Sequence, residues 1–543
     1  MGLTKSRLKG WVWNRNTPTS LAKHQIRTIG KLSSREMATT TTTTQAVTCT
    51  PGHSSPKSVM LHTTDSIVEQ FALSSGEHAA PHTHKIRVDS LTEPTTIVCE
   101  DTRDRWAGVK RPRCTDPWIC PASKKSKLTN NTVQSIVAQV TDRIRQGCHR
   151  PDRKNPLSLA SGDAIATGSM PACSAAIEIV VKASLEAPHV AGYAHACGTQ
   201  EARVAIAKYH SYPEATISQD DVIVTNGCSG ALDLALNSLL DAGTTLLVPQ
   251  PGFPLYEEMA KAIGANVVHY HLNPDQNWEC DMEHLNSIMA SHKDVRAMVI
   301  NNPSSATGGV FSEEHLSAIN RFAHLHHIPI ISDEIYGGLT YGDSKFIPMA
   351  QIAAREGKHV PVITASSISK QFLLPGWRVG WLTFHDNRYH SLRQVKAGAI
   401  RLAQLHHGTS NLPQAAIPTL LDPATPGLAD WRETLRLTLQ ERSELLCGRL
   451  RNCPGLKVLA AQGAMFATIE IDPTKLAVEH DLEFAMRLVD EENVFVLPGT
   501  AMGVQNIIRV SFCADESAVD AAGRRIEAFC QRRSKEAALT RGA

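Results

Sequence analysis

Short runs of β-branched and aliphatic residues alternate with segments of helical periodicity from Val133 almost to the C-terminus. This alternation predicts an α/β fold. Successive runs are roughly 20–35 residues apart, which leaves room for crossover helices such as Leu316–His326 and favours a mainly parallel sheet. The predicted buried strands are Asp221–Thr225, Thr245–Val248, Val267–Tyr270, Ala297–Ile300, Pro329–Ser332 and Val362–Ala365.

The pattern changes after about Ala415. A long helix is predicted over Asp430–Arg451, and three strand-like runs follow it. We interpret this part as a second, smaller α+β domain, completed by the stretch around residues 131–162. The three runs are Lys457–Leu459, Ala464–Glu470 and Ile507–Phe512.

The chain before the periodic part has the composition of a disordered extension. Up to about Ser126 it is rich in Thr, Ser, Pro and His, with poor hydrophobic periodicity. No acidic residue precedes Glu36, whereas eight basic ones do, which is compatible with a mitochondrial targeting segment or with a solvated cytoplasmic tail. Met37 could equally be a second start site. The basic residues are Lys5, Arg7, Lys9, Arg15, Lys23, Arg27, Lys31 and Arg35.

Composition argues against a nucleic-acid-binding protein, a membrane-spanning protein and a metal protein, but it does not identify a binding partner. The net charge of +2 gives no general basic field for nucleic acid, and no run approaches the 18 apolar residues of a membrane span. The 13 cysteines are scattered, with no C-x-x-C pair and no zinc-type spacing, so we expect no metal site and a reducing compartment. The sequence therefore predicts a soluble, cytoplasmic protein, with mitochondria as the alternative.

Polar residues gather directly after the predicted strands. Ligands of open α/β sheets lie beyond the carboxyl ends of the strands, so these positions are the candidate site. The turn Thr225 to Gly230 precedes a helix and offers backbone N–H groups suited to a phosphate, although such a turn is also an ordinary helix start. The other polar stretches are Asn301-Asn302-Pro303-Ser304-Ser305, Asp333-Glu334-Ile335-Tyr336 and Ser366-Ser367-Ile368-Ser369-Lys370, the last followed by Arg378.

Together these residues resemble class I pyridoxal-phosphate-dependent aminotransferases of fold type I, and most closely the tyrosine aminotransferase branch. The resemblance runs from about Trp106 to Cys530. Each motif alone is weak, but the set is specific. The motifs are Ser161-Gly162-Asp163, Gly192-Tyr193-Ala194, Asn226-Gly227-Cys228-Ser229, Pro251-Gly252-Phe253-Pro254-Leu255-Tyr256, Asn301-Asn302-Pro303-Ser304, Ser332-Asp333-Glu334-Ile335-Tyr336 and Leu374-Pro375-Gly376-Trp377-Arg378.

The resemblance implies a large domain with a mostly parallel, seven-stranded-type sheet flanked by helices, a smaller α+β domain, and a homodimer. The expected limits are a disordered extension over 1–105, an N-terminal arm and part of the small domain over 106–175, the large cofactor-binding domain over 176–415, the C-terminal small domain over 416–535 and a tail over 536–543.

The resemblance also assigns roles around pyridoxal 5'-phosphate. Lys370 would form the Schiff base and shuttle the proton, and Asp333 would pair with the ring nitrogen. Asn302 and Tyr336 would donate to the ring oxygen, with Tyr336 and Asp333 counted with Lys370 as catalytic. Phe253 would stack on the ring. The phosphate would be held by Gly227, Cys228, Ser229, Ser367 and Arg378, and by Tyr193 of the partner subunit.

Substrate binding is assigned in the same way. Arg509 interrupts a strand pattern with a permanent charge, which is costly to bury without an anion, and the resemblance implies that it receives the substrate α-carboxylate. Gly162 would lie beneath that carboxylate, and Asn302 would also touch the substrate. The implied reaction moves an α-amino group from an aromatic, tyrosine-like L-amino acid to a 2-oxo acid such as 2-oxoglutarate in a ping-pong scheme.

Some positions depart from the branch. His195 and Cys197 lie where smaller or less polar residues are expected, Gln371 replaces a basic residue, and Ser305-Ala306-Thr307 replaces a more typical Asn-Pro-Cys. These departures concern the choice of amino acid more than the core chemistry. A carbon–sulfur lyase or another amino-acid lyase or synthase on the same fold is the alternative. A non-catalytic regulator is disfavoured because Lys370 and Asp333 are both present.

Overall fold

A computed structural model of the chain describes residues 59–60, 96–97, 122–129, 132–147, 155–357, 360–386 and 388–542. The chain divides into two compact units, Met1–Trp118 and Ile119–Ala543. In the first unit, the strands Val59–Met60 and Thr96–Ile97 pair antiparallel. The rest of the predicted disordered extension, including its targeting segment, lies outside the described residues.

The second unit is built on an eight-stranded sheet, which confirms the α/β prediction. Its five central strands, from Val362–Ser367 to Asn266–Asn273, are joined by parallel pairings. Four of these strands are largely buried, which explains why they read as nearly continuous apolar runs, whereas most residues of Asn266–Asn273 are at least partly exposed. The order across the sheet is Val222–Asn226, Val379–His385, Val362–Ser367, Ile330–Asp333, Val295–Asn301, Thr245–Gln250, Asn266–Asn273 and Glu279–Cys280.

Helices cover the sheet and bury its apolar side chains. The helix Gly227–Leu239 packs on one face through Ala231, Leu232 and Ala235, whereas Glu313–His326 packs through Leu316 and Ile319 in a separate cluster. The helices of this part are Ser174–Glu186, Gln200–Tyr209, Gly227–Leu239, Leu255–Ile263, Met282–Ser291, Glu313–His326, Met349–Arg355, Ile368–Gln371, Arg393–Gln404, Asn411–Gln414 and Ile417–Leu420.

The sequence pattern missed the strand Val379–His385, which pairs antiparallel with both of its neighbours. All seven of its residues are buried, yet Gly380, Thr383 and His385 break the apolar run that would have indicated a strand. The expected seven strands are present, and the two-residue strand Glu279–Cys280 pairs antiparallel at the edge as an eighth.

A smaller antiparallel sheet follows in the C-terminal part. Its order is Leu456–Leu459, Phe466–Ile471, Ile507–Ser511 and Leu497–Pro498. The strand Val494–Phe495 pairs instead with Leu157–Ser158, so the stretch around residues 131–162 contacts this part. The helices here are Leu428–Leu450, Pro473–Leu476, Asp481–Glu492 and Glu516–Gly542, together with Thr132–Gly147 from the N-terminal side. The short helix Lys124–Leu128 contacts Leu255–Ile263 of the large-sheet part instead.

Two of the expected domain limits, after residues 415 and 535, do not coincide with a break in the structure. Ile417 and Leu420, just past residue 415, share a core cluster with Val222 and Val379 of the large sheet. The helix Glu516–Gly542 runs on through residues 536–542, where a tail was predicted. The domain limits given above therefore stay predictions.

The described part of the chain contains no helix that is both long and apolar enough to cross a bilayer. Within the same residues, no group of three or more His, Cys, Asp or Glu side chains is arranged to hold a metal ion. The eight cysteines that can be described are free and buried.

Candidate active site

The ends of two neighbouring strands bring the first predicted site residues together. Asp333 ends the strand Ile330–Asp333, and Asn302 follows the strand Val295–Asn301. The Asp333 carbonyl accepts hydrogen bonds from the Asn302 backbone N–H and the Asn301 side-chain amide, both at 3.1 Å. This pairing fixes the loop after one strand against the end of the next.

The Asp333 carboxyl group is buried and held on both oxygens. Oδ2 accepts from the Tyr256 hydroxyl at 2.6 Å, while Oδ1 accepts from the Ile335 N–H at 3.2 Å and lies 3.6 Å from the Cys228 thiol sulfur. Burial raises the pKa of Asp333, and these hydrogen bonds oppose that rise. A cation beside this carboxyl would favour its charged form further.

Tyr256 was not among the predicted site residues, although its hydroxyl makes the shortest contact to Asp333. It belongs to the same sequence motif as Phe253, three residues earlier on the chain, and the two rings meet edge to face at 5.6 Å. The sequence feature that could have pointed to Tyr256 is its position three residues after Phe253, the aromatic residue expected to stack on the ring. The sequence does not predict that the Tyr256 hydroxyl binds Asp333, because the same aromatic ring would suit an ordinary core position equally well.

A cradle for an anion forms at the start of the helix Gly227–Leu239. Gly227 has φ of +70°, and a Cβ there would lie 2.5 Å from Nη2 of Arg378, so only glycine lets the guanidinium approach. Arg378 donates to the Asn226 carbonyl at 3.3 Å and to Pro375 at 2.9 Å. Ser229 is in the first helical turn, whose N–H groups have no partners within the helix.

A cavity of about 830 Å³ borders this cradle at Asn226, Gly230 and Arg378. A second hollow of about 970 Å³ lies near Thr244, Val295 and Pro329, at the opposite ends of the strands. Asn226 and Arg378 line the first cavity, whereas Lys370, Asp333 and Asn302 do not. We therefore place the site at the carboxyl ends of the strands, where those three residues lie, and not in either cavity. Ser367, at the end of its strand, is buried, and its hydroxyl oxygen accepts from the Ser369 N–H at 3.1 Å.

Lys370 lies in the short helix Ile368–Gln371, directly after the strand Val362–Ser367. Its Nζ donates to the Gly162 carbonyl at 2.8 Å. Burial lowers the pKa of Lys370, which favours the neutral amine needed for nucleophilic and acid–base work. Lys370 and Gly162 are 208 positions apart in sequence.

The ring of Phe466 lies between Gly162, whose carbonyl binds Lys370, and Arg509. A Cβ on Gly162 would lie 2.5 Å from Cζ of Phe466. The Arg509 guanidinium stacks over the Phe466 ring, 3.9 Å from the ring centroid. The Phe466 and Tyr336 rings contact edge to face, with their centroids 6.3 Å apart. Phe466 was not predicted as a site residue, because a single buried aromatic in a strand gives no signal of its own.

Arg509 lies in the strand Ile507–Ser511, as predicted. Its guanidinium donates to the carbonyls of Ser305 at 2.9 Å and Ala160 at 3.2 Å, and no carboxylate pairs with it in the described part of the chain. Burial lowers the pKa of Arg509 to about 10, and the group remains a cation at neutral pH. It is therefore a fixed positive charge whose burial would be compensated by an anion.

The structure brings most of the predicted site residues together, with two qualifications. The side-chain oxygen of Asn302 accepts from the Phe311 N–H at 3.0 Å, so only its amide nitrogen is left to donate elsewhere. Tyr193 is 94% exposed, with its ring beside His407 at 5.9 Å. It is thus not enclosed by the other site residues of its own chain.

The arrangement has the groups that pyridoxal phosphate needs: an amine, a buried acid, and an anion cradle next to an arginine. The close approach of Arg378 to Gly227 and the doubly held Asp333 are the observations that fit this cofactor. A fixed cation near the amine adds a place for the carboxylate of an amino acid.

Comparisons with known proteins agree with this geometry. Residues 154–526 match the family model described as "Aminotransferase class I and II". The chain is 36% identical over 422 residues to the tyrosine aminotransferase of Dictyostelium discoideum, covering 77% of this chain and 98% of that protein. It is 34% identical over 415 residues to that of Homo sapiens, with coverages of 76% and 88%.

The fold is likewise that of solved aminotransferases. A crystal structure of tyrosine aminotransferase from Leishmania infantum superposes with a TM-score of 0.69 at 28% identity, over 77% of this chain and 99% of that one. An alanine aminotransferase from Pyrococcus furiosus gives the same score at 26% identity, over 76% and 100%. The resemblance found in the strand-end motifs is confirmed, and this chain belongs to the aminotransferase class I and II family.

Proposed function

We propose that this aminotransferase moves the α-amino group of an aromatic, tyrosine-like L-amino acid to a 2-oxo acid such as 2-oxoglutarate. The observation that carries the proposal is the path from Lys370 through Gly162 and Phe466 to Arg509. An α-amino acid bears its amine and its carboxylate on one carbon. A site for it therefore needs a reactive amine and a fixed cation close together.

The proposed cofactor is pyridoxal 5'-phosphate, attached covalently to Lys370. When bound, it supplies an electron-withdrawing ring that takes up the electron pair of the substrate Cα–H bond. Asp333 would hold the proton on the ring nitrogen, and the Tyr256 hydroxyl would keep the Asp333 carboxyl in place. Phe253 would stack on the ring, while Tyr336 and the amide nitrogen of Asn302 would donate to the ring oxygen.

The phosphate would lie in the cradle at the helix start. The backbone N–H groups of Gly227 and Cys228 and the hydroxyls of Ser229 and Ser367 would donate to it. Arg378 would add a charged, forked donor that lysine cannot copy. These groups would keep the cofactor in the site while the Lys370 amine is free to act.

Lys370 would also move the proton at the substrate. Released from the cofactor, its amine would take the proton from Cα and return it to the cofactor carbon that had been bound to the lysine. The lowered pKa of Lys370 favours the neutral form that can accept a proton. Arg509 would hold the α-carboxylate, above Gly162, so that the Cα–H bond stays within reach.

The aromatic amino acid is proposed because relatives with 32–36% identity carry the name tyrosine aminotransferase. We further propose a homodimer in which Tyr193 reaches the phosphate of the partner subunit. The exposure of Tyr193 supports this role, since a bulky aromatic residue on a surface is suited to a protein contact. The free cysteines suit a reducing compartment, and we propose the cytoplasm, with mitochondria as the alternative.

The test is a spectroscopic and product assay on the cofactor-loaded protein. Adding L-tyrosine should change the visible absorbance of the bound cofactor, and adding 2-oxoglutarate should reverse the change, with glutamate as the product. Such reversal by a second substrate is the mark of a ping-pong transfer. Lys370→Ala should lower turnover by several orders of magnitude, whereas Lys396→Ala, which removes a lysine paired with Asp221, should leave turnover near the wild-type rate.

Release of ammonia and a 2-oxo acid from a single amino acid, without an acceptor, would assign a lyase instead. Full turnover in Lys370→Ala would overturn the mechanism. A spectral response to L-alanine or L-aspartate that exceeds the response to L-tyrosine would keep the transferase and overturn the aromatic substrate.

A further inference from the structure

Two buried donors near the proposed carboxylate position have no hydrogen-bond partner among the described residues. They are the hydroxyl Oγ of Ser305 and the guanidinium Nε of Arg509. A buried polar atom without a partner costs free energy, and such atoms are rare in folded proteins, so each calls for an explanation.

The two donors belong to residues that are directly bonded. Nη1 of Arg509 donates to the Ser305 carbonyl at 2.9 Å, and the Ser305 N–H donates to the side-chain oxygen of Asn301 at 2.7 Å. Both backbone groups of Ser305 are therefore used within the protein. The hydroxyl is the one polar group of this residue that is left for a ligand.

The neighbouring hydroxyls differ in being used by the loop itself. Oγ of Ser304 accepts from the N–H groups of Ala306 at 3.3 Å and Thr307 at 3.2 Å. Oγ1 of Thr307 accepts from the Gly309 N–H at 3.1 Å. These two side chains stabilise the turn, whereas that of Ser305 contributes nothing to it through its hydroxyl.

We propose that the Ser305 hydroxyl is a substrate-binding group that donates to the α-carboxylate held by Arg509. This inference rests on the proposed function. A carboxylate can accept several hydrogen bonds, so the guanidinium and the hydroxyl can bind it together.

The experiment compares a carboxylate with its neutral amide. 3-Phenylpropanoate has an aromatic ring and a carboxylate but no amine, and 3-phenylpropanamide has the same shape without the charge. Each is titrated by calorimetry into the cofactor-loaded wild type and Ser305→Ala. Loss of a hydrogen bond to a charged group should weaken 3-phenylpropanoate about tenfold, while the amide changes less than about twofold.

The matched control is Thr364→Val. Thr364 lies in the strand Val362–Ser367 and also has a buried hydroxyl without a partner, and valine keeps its shape. This variant should bind both compounds like the wild type. Equal weakening of 3-phenylpropanoate in Thr364→Val, or equal weakening of both compounds in Ser305→Ala, would overturn the inference in favour of a packing effect.

Two further outcomes separate the inference from the proposed function. If the wild type prefers the carboxylate and Ser305→Ala keeps the full preference, the inference fails while the function stands. If the wild type itself shows no preference, the carboxylate position at Arg509 fails, and the inference fails with it. A change confined to the pH titration of the cofactor absorbance would assign the hydroxyl to the cofactor and overturn the inference.

Discussion

The Tyr256 hydroxyl donates a hydrogen bond of 2.6 Å to Oδ2 of Asp333, linking the helix Leu255–Ile263 to the end of the strand Ile330–Asp333. Both side chains are almost fully buried. In a site of low polarity this contact both orients the carboxyl group and favours its charged form. Tyr256 is therefore a positioning residue for Asp333.

Tyr256→Phe should raise the pKa of Asp333 further, because the hydrogen bond that opposes the effect of burial is removed. We expect about a tenfold weaker cofactor affinity and a similar fall in kcat/KM, the effect of losing one hydrogen bond to a charged group. Cofactor dissociation by dialysis and steady-state kinetics measure the two quantities. Tyr270→Phe is the control, because the buried Tyr270 hydroxyl donates to the Val299 carbonyl at 2.8 Å instead. Equal losses in both variants would contradict the prediction.

Mixed dimers test whether Tyr193 acts across subunits. Two differently tagged chains, Lys370→Ala and Tyr193→Ala, are co-expressed, and the hybrid dimer is isolated. If Tyr193 serves the partner subunit, one of the two sites in the hybrid has both residues intact, and about half of the wild-type activity should return. The two variant homodimers should each be far less active. If Tyr193 served its own chain, the hybrid would contain no intact site and would stay as inactive as the mixture of its parents.

Gly162→Ala should disturb the carboxylate position through Phe466. The added Cβ would lie 2.5 Å from Cζ of Phe466, so the ring that carries the Arg509 guanidinium must move. We expect a loss of about 1–3 kcal/mol in stability, typical of overpacking, and a raised KM for amino acids. Thermal unfolding and kinetics measure both.

The smaller side chain in Phe466→Leu should relieve the clash in a double variant and recover part of the lost stability. Gly448→Ala is the matched glycine control. Nothing lies within 4 Å of a Cβ there, and the position is inside the helix Leu428–Leu450, so this change should stabilise the protein by about 0.5–1 kcal/mol. An unchanged KM and melting temperature in Gly162→Ala would show that the ring is free to move.

The buried Glu334 predicts a pH dependence of stability. Its carboxyl accepts from the Ser332 hydroxyl at 2.8 Å and the Met349 N–H at 3.1 Å, but burial is the larger effect and raises its pKa to about 7 from 4.5. The folded state thus keeps a proton that the unfolded chain has already released. Between about pH 4.5 and pH 7, the free energy of unfolding should fall by about 3 kcal/mol as pH rises, and then level off.

Glu334→Gln should remove this contribution, because the amide does not ionise and its oxygen can still accept both hydrogen bonds. Urea unfolding of the cofactor-free protein at pH 5 and pH 8 measures the difference. The wild type should lose more stability than the variant over this interval. Parallel pH profiles for the two proteins would place the pKa of Glu334 near its ordinary value.

Much of the fold and site could be predicted because the signals are local. The strands that lead to the site are largely buried: Asp333 ends Ile330–Asp333, Gly227 directly follows Val222–Asn226, and Lys370 lies three residues after Val362–Ser367. Parallel strands place their carboxyl ends at one edge of the sheet, so the sequence alone predicts that these residues meet.

The sequence by itself determined the alternation of strands and helices, the strand-end residues and the family resemblance, since periodicity and motif spacing are properties of neighbouring residues. Only the tertiary structure decided which distant side chains touch. It placed Tyr256 on Asp333, Phe466 between Gly162 and Arg509, and the strand Val379–His385 antiparallel within the sheet. These contacts join residues that are far apart in sequence. They depend on how the whole core packs, which local sequence patterns do not specify.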